Sequence, residues 1–263
     1  MCLIAIAHKV HPERPLVVAA NRDEAYARPT LAAQFWEDQP HILAGRDLEA
    51  GGTWLAIDRR GRFAAVTNFR ELSPRPANAP SRGHLVSDFL VAEEPASRYV
   101  RRISEEMRHY AGFNLLLRDD SGLYYLSNRT KDADAAPRLL APGVYGLSNH
   151  LLDTPWPKVV QAKQRFAEAL SHGQTLDSLM SILTDREIAP EGALPDTGIG
   201  IERERLLSPI FIASETYGTR CSTLVEVSAK NRVRFVEQAF ERGGAAADTV
   251  EYRFDLQYAS AAV

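Results

Sequence analysis

The chain has 263 residues, 45% of them hydrophobic and 25% charged, with a formal net charge of -3. This is the balance of an ordinary globular protein, and it gives nucleic acid or an anionic membrane no global electrostatic attraction. The two cysteines, Cys2 and Cys221, form neither a disulfide framework nor a C-x-x-C zinc spacing, so a reducing, cytoplasmic setting is expected.

In chain order, the first apolar run covers residues 3–7 and is followed at once by charged residues. It is too short for a secretion signal, and no run reaches the roughly 20 apolar residues of a membrane span. Residues 3–8, 16–21, 42–45, 53–57 and 63–68 read as strands, rich in Val, Ile and Ala and separated by Pro, Gly and charged clusters. Asp58-Arg59-Arg60-Gly61 reads as a hairpin turn. Two helices follow at 83–91 and 95–110, with Tyr99, Ile103 and Met107 at helical spacing in the second. Strands at 113–117 and 123–126 flank a second hairpin signal, Asp119-Asp120-Ser121-Gly122, and another strand is read at 144–148. Residues 156–170 place Val159, Val160, Phe166 and Leu170 on one helical stripe, and 176–183 continue it after Gly173. Segments 72–81 and 189–200, rich in Pro and Gly, are expected as long surface loops that flank a binding site. Strands resume at 210–213, 223–227, 233–238 and 250–254.

Strands, then helices, then strands, with hairpins throughout, predict a largely antiparallel α+β protein whose helices lie outside the sheet. No repeat or linker divides the chain, so residues 1–263 are read as a single domain.

Cys2 carries the chemistry. A cysteine beside the initiator is small enough for routine removal of Met1, which leaves a thiol and a free α-amino group on one residue. Their unperturbed pKa values, about 8.5 and about 7.7–8.0, lie close to working pH. The pair can act as nucleophile and base without a histidine. The polar tetrad Asn21-Arg22-Asp23-Glu24 ends the second strand. If the first two strands pair antiparallel, this tetrad surrounds Cys2. Arg22 would then favour the thiolate, and Asp23 could hold the α-amino group. On residues alone, a tolerated cysteine at position two and a polar turn with an Arg–Asp pair remain open. So do turn-capping roles for Asn68 and Asn149, a plain turn with a core tryptophan at Gly51-Gly52-Thr53-Trp54, and a solvated cap at Arg82. Cys221 reads as an inert buried thiol, and the histidines show no metal-ligand spacing, so no metal is expected.

The opening Met1-Cys2-Leu3-Ile4, the Asn21-Arg22-Asp23-Glu24 tetrad, Gly51-Gly52-Thr53-Trp54, Thr67-Asn68, Ser81-Arg82-Gly83, Gly146-Leu147-Ser148-Asn149 and Gly218-Thr219-Arg220 occur in this order. Together they resemble the NRDE family, also called the transport and Golgi organisation protein 2 family, from Met1 to about Val236. The resemblance implies a four-layer αββα sandwich of two mainly antiparallel sheets, similar to N-terminal nucleophile hydrolases of the choloylglycine hydrolase and penicillin V acylase group. It implies a cysteine amidohydrolase or acyl-transfer enzyme acting on an amide or acyl small molecule. In that reading Cys2 is the nucleophile, Asp23 assists it, Asn68 and Asn149 form the oxyanion site, and Arg220 orients the thiol. Asn21, Arg22, Trp54 and Arg82 are the expected substrate-binding residues. The hydrolases place arginine ahead of asparagine in the second strand, whereas Asn21 precedes Arg22 here, so alternation would turn Arg22 to the other face. Family members are also linked to haem handling and to acyl-CoA and lipid metabolism. A non-catalytic carrier of haem or acyl-CoA on the same fold is therefore the alternative. No cofactor is expected beyond haem as a ligand in that case, and the sequence is silent on oligomeric state.

Overall fold

The computed structural model describes residues 2–72, 76, 78–130 and 136–257. Met1, whose removal would free the Cys2 amino group, and residues 73–75 and 77 of the first long loop lie outside them. Two sheets are built. In the first the order is β10 (Gly143–Leu147), β1 (Cys2–His8), β2 (Leu16–Ala25), β11 (Tyr217–Val227), β12 (Arg232–Phe240) and β13 (Ala246–Asp255). In the second it is β3 (Thr30–Phe35), β4 (Ile42–Asp47), β5 (Leu55–Asp58), β6 (Phe63–Asn68), β7 (Phe113–Asp119), β8 (Gly122–Ser127) and β9 (Arg138–Leu140). Every pairing is antiparallel.

Alternation along each strand makes the layers. On β1 and β2, Ile4, Ile6, Val18 and Ala20 turn inward and meet Leu43, Ile57, Phe63 and Leu116 of the other sheet in one shared core. Leu3, Ala5, Val17 and Ala19 turn outward beneath α3 (Pro157–Ser171) and α4 (Met180–Leu183). The outer face of the second sheet, with Ala44, Ala64 and Leu115, packs under α1 (His84–Val91) and α2 (Ala96–Glu106). The result is the αββα order expected of an N-terminal nucleophile hydrolase-like sandwich. Strands buried on both faces explain why the first one reads as an unbroken apolar run. The Asp119–Gly122 hairpin forms with Asp119 opposite Gly122, and Gly61, at φ +78°, lets the chain turn between β5 and β6.

Three expectations shift. Residues 210–213 form only an isolated bridge, Ala213 to Gly218, and cross outside the first sheet instead of joining it. The edge strands β3 and β9 and the short helix α5 (Ile201–Leu206) are not legible in the sequence, because each exposes too much surface to carry a strong apolar period. On α3, Val160 faces solvent while Lys158 is buried, so the buried stripe runs through Lys158, Ala162 and Phe166.

Candidate active site

The register of β1 on β2 sets Cys2 directly opposite Arg22, and β11 sets Cys221 opposite the same arginine from the other side. Directly opposed residues share a face, so both thiols and Arg22 look inward, between the sheets. There they line one end of a cavity of about 550 Å³. Cys2 is 8% exposed, and that remaining surface opens on the cavity. The departure in residue order therefore does not turn Arg22 away: it is the cross-strand neighbour of the thiol. Arg22 is 9% exposed; among the described residues its guanidinium makes no hydrogen bond, and its ion pairs are the long ones to Asp47 and Glu24, at 3.9 and 4.0 Å.

The opposite wall comes from the second sheet. Asn68, the last residue of β6, lines the cavity, and its side-chain amide makes no hydrogen bond among the described residues. Asn149 stands behind it. One Nδ2 hydrogen is donated to the Asn68 carbonyl at 2.9 Å, and Asn149 does not itself line the cavity. Next to it, Ser148 Oγ donates to the Cys2 carbonyl at 2.9 Å and fixes the start of β1. Trp54 and Arg82 lie on the cavity wall as well. Their two motifs meet backbone to backbone, since a Cβ on Gly52 would sit 2.5 Å from the Gly83 carbonyl carbon. Arg82 also donates to the Gly112 carbonyl at 3.0 Å.

Arg220 is the extra residue of a β-bulge in β11, between Thr219 and Cys221. It reaches the cavity wall, but its Nη1 donates to the carbonyls of Ala25, Tyr26 and Arg28 at 2.9, 3.2 and 3.0 Å. It clamps the turn after β2, and none of these bonds reaches the sulfur. Asn21 is not brought to the cavity. Fully buried on the outer face, it donates to the carbonyls of Leu183 and Ile210 at 2.7 and 2.9 Å and accepts from Ser222 at 2.6 Å. Its polar side-chain atoms are spent on the fold.

Asp23 is buried at the same end of β2. Its Oδ1 accepts from Thr219 Oγ1 at 2.8 Å, and Tyr217 Oη donates to its backbone carbonyl at 2.8 Å. Burial raises the Cys2 thiol above its ordinary pKa, and the charge of Asp23 pushes the same way. The positive charge of the chain's amino terminus, then that of Arg22 and a hydrogen bond from the Asp23 backbone, oppose this without reversing it. Arg22 taken alone predicts a lowered value; loss of hydration outweighs one flanking guanidinium. Burial also raises Cys221 well above its ordinary value, with the Glu237 carboxylate acting in the same direction.

Sequence reasoning missed Lys158, Tyr217, Ser148 and Glu237. Lys158 is 3% exposed and donates its Nζ to the Leu207 carbonyl at 2.9 Å. The signal for it was the i, i+4 series running back from Phe166 through Ala162. Among the described residues, no group of three or more His, Cys, Asp or Glu could hold a metal, and no helix is long and apolar enough to cross a membrane.

An αββα sandwich with a buried thiol on the wall of its intersheet cavity is thus the class that fold and site define. The profile described as Transport and Golgi organisation 2 matches residues 1–242. The Transport and Golgi organization 2 homolog of Mus musculus is 37% identical over 98% of this chain and 100% of its own length. The Transport and Golgi organization protein 2 of Drosophila melanogaster is 31% identical over 90% of this chain and 92% of its own. The chain belongs to the Transport and Golgi organisation 2 family. A solved structure, the Caenorhabditis elegans N-acylethanolamine-hydrolyzing acid amidase ortholog, superposes with a TM-score of 0.42 at 10% identity, over 85% of this chain and 92% of that one. That likeness is too slight to bear on activity.

Proposed function

We propose that this protein is an amidohydrolase or acyl-transfer enzyme acting on a small molecule, with Cys2 as nucleophile once Met1 is removed. The observation that carries the reading is the shared cavity face of Cys2 and Arg22, with the unspent amide of Asn68 on the facing sheet. In the reaction, the Cys2 sulfur forms a bond to the carbonyl carbon of the substrate and its proton passes to the α-amino group. The carbonyl oxygen becomes an oxyanion that accepts from the Asn68 amide, which Asn149 steadies. The C–N bond then breaks, the leaving amine takes the proton, and water hydrolyses the thioester. Asp23 is the anion that would hold the α-amino group. Arg22, with donors not engaged in hydrogen bonds, and the apolar Leu31, Trp54 and Phe240 suit a substrate with an anionic group on an apolar body.

One observation favours a second reading. Burial raises the Cys2 thiol, and a carrier of haem or acyl-CoA in the same cavity needs no thiolate. Hydrolysis of a fatty-acyl aminocoumarin amide, measured alongside intact mass, separates the two. The amidase reading expects a protein lacking Met1 whose turnover drops at least about 10³-fold in Cys2→Ala, as loss of a nucleophile requires. Equal turnover in Cys2→Ala would overturn it. A Soret band with iron protoporphyrin that survives Cys2→Ala, without turnover by the wild type, would favour carriage.

A further inference from the structure

We propose that Glu237 is a positioning residue that sets which substrates the cavity accepts: its carboxylate crosses from the first sheet and holds β3, a side wall of the cavity, by one backbone N–H. The inference deepens the amidase reading and rests on it for the nature of the ligand, a small amide with an apolar body.

The contact begins as an irregularity in the pairing of β3 with β4. Leu31 pairs with Arg46 and Gln34 with Ala44, so Ala32 and Ala33 together face Gly45. Two residues against one make a β-bulge, and the extra residue drops out of the ladder. A buried N–H without a ladder partner needs another acceptor. Ala33 is 1% exposed, and its N–H is donated to Glu237 Oε1 at 2.7 Å, from the second sheet to the first. Gly45 keeps the space for this crossing. A Cβ there would come 3.0 Å from the Leu31 carbonyl oxygen and 3.9 Å from both the Ala33 nitrogen and Glu237 Oε2.

A carboxylate here is costly unless its acceptor oxygens are used. Glu237 lies on β12 opposite Thr223, is 5% exposed and lines the cavity. Its other donors, the Thr223 hydroxyl at 3.4 Å and the Cys221 thiol, belong to the first sheet. The bond from Ala33 is the one that joins the sheets. β3 needs such an anchor, because it is the edge of the second sheet with β4 as its partner. Its ends are tied to the first sheet. Thr30 Oγ1 accepts from Arg220 at 3.5 Å, and the Phe35 ring meets those of Tyr252 and Phe254 at 5.7 and 5.4 Å. Between these ties the strand is held to the first sheet by Glu237. Thr30, Leu31 and Ala32, at and before the bulge, line the cavity. Freed from Glu237, this stretch loses its fixed distance from the first sheet, and a long apolar body loses part of the surface it packs on.

Amide hydrogen exchange and ligand binding test this in the full chain, with acetyl and dodecanoyl amides of one aminocoumarin as probes. Dissociation constants are read by fluorescence in Cys2→Ala, so that nothing is turned over. Adding Glu237→Leu should speed exchange of the Ala33 N–H at least about tenfold relative to the Ile4 N–H of β1, as loss of a hydrogen bond to a charged acceptor requires. It should weaken the dodecanoyl amide at least about tenfold, the share of roughly two buried methylene groups, and leave the acetyl amide near its original constant. Glu237→Gln, whose amide oxygen still accepts, should restore both. Unchanged Ala33 exchange, or equal weakening of the two amides, overturns the inference. Should Glu237→Leu fail to fold, the absence of a scalar coupling across the hydrogen bond between Ala33 15N and Glu237 13Cδ, in the chain that keeps Glu237, does so alone. Binding of neither amide overturns both readings. Glu237-dependent selection without hydrolysis by the wild type sinks the amidase reading and supports the positioning role, whereas Cys2-dependent hydrolysis with selection unmoved sinks this inference only.

Discussion

His8 closes β1 on the same inward face as Cys2, 2% exposed, and its Nδ1 has no hydrogen-bond partner among the described residues. Burial lowers its pKa from 6.5 to about 4, helped by the charges of Lys9 and Arg118. In the unfolded chain this imidazole takes a proton near pH 6.5, while the folded one refuses it until about pH 4. Over that window the unfolded state binds more protons, so stability falls as pH falls. The loss should reach up to about 3 kcal/mol at the acid end, since each pH unit between the unfolded and folded midpoints is worth roughly 1.36 kcal/mol. Urea unfolding at pH 7 and pH 4.5 checks it: His8→Leu should lose less stability between the two than the wild type. Equal losses would show that another group governs the acid limb. In Cys2 too desolvation is the largest influence, and there it sets the direction against the charge of Arg22.

Elements carry the site because glycines let them touch. The turn from β4 to β5 lies on the start of α1, with Gly52 and Gly83 in backbone contact. The three atoms nearest a new Cβ on Gly52 are all backbone, at 2.5 to 2.8 Å, so no side chain can swing aside to relieve them. Gly52→Ala should cost about 1–3 kcal/mol through overpacking and should displace the wall that carries Trp54 and Arg82. Gly192→Ala, where a Cβ meets nothing within 4 Å, is the control that should change little. Thermal melts of both variants test the pair, and equal effects would contradict the packing argument. The two glycine motifs were legible in the sequence as motifs. That they face each other was not, because their contact joins segments 31 residues apart through no local pattern. The hairpins at 58–61 and 119–122 were readable from turn chemistry alone. Residues 210–213 read as a strand because their apolar side chains are buried, which periodicity cannot distinguish from pairing within a sheet.

The two sheets of the whole molecule are held together by sharing a core. Phe63 on β6 is fully buried within it, beside residues of both sheets. Phe63→Ala should destabilise by about 3–5 kcal/mol, read as a lower urea midpoint with unchanged slope. A loss below about 1 kcal/mol would mean that the sheets are not held by this interface. The layer order was legible because strands buried on both faces, helices of one-sided stripe and frequent hairpins allow few architectures. The site was legible in part. Cys2, Asp23 and Asn68 line the same cavity, Asp23 from near the end of β2 as antiparallel pairing of the first strands required, and Arg22 joins them where alternation had sent it away. Asn21 is spent on the carbonyls of Leu183 and Ile210 and Arg220 on the turn after β2, and those partners lie far along the chain or in turns that no spacing marks. Lys158 stayed hidden because a charged residue on a helix is ordinarily a solvated one.

The central claim is that Cys2 is a processed, acylatable nucleophile in the intersheet cavity. Incubation with an activated acyl thioester, followed by intact-mass and peptide mass spectrometry, tests it in one measurement. The account predicts a chain lacking Met1 that gains one acyl group on Cys2, with Cys221 unmodified and the label absent in Cys2→Ala. Retained Met1, or acylation of Cys221 as fast as of Cys2, would contradict it.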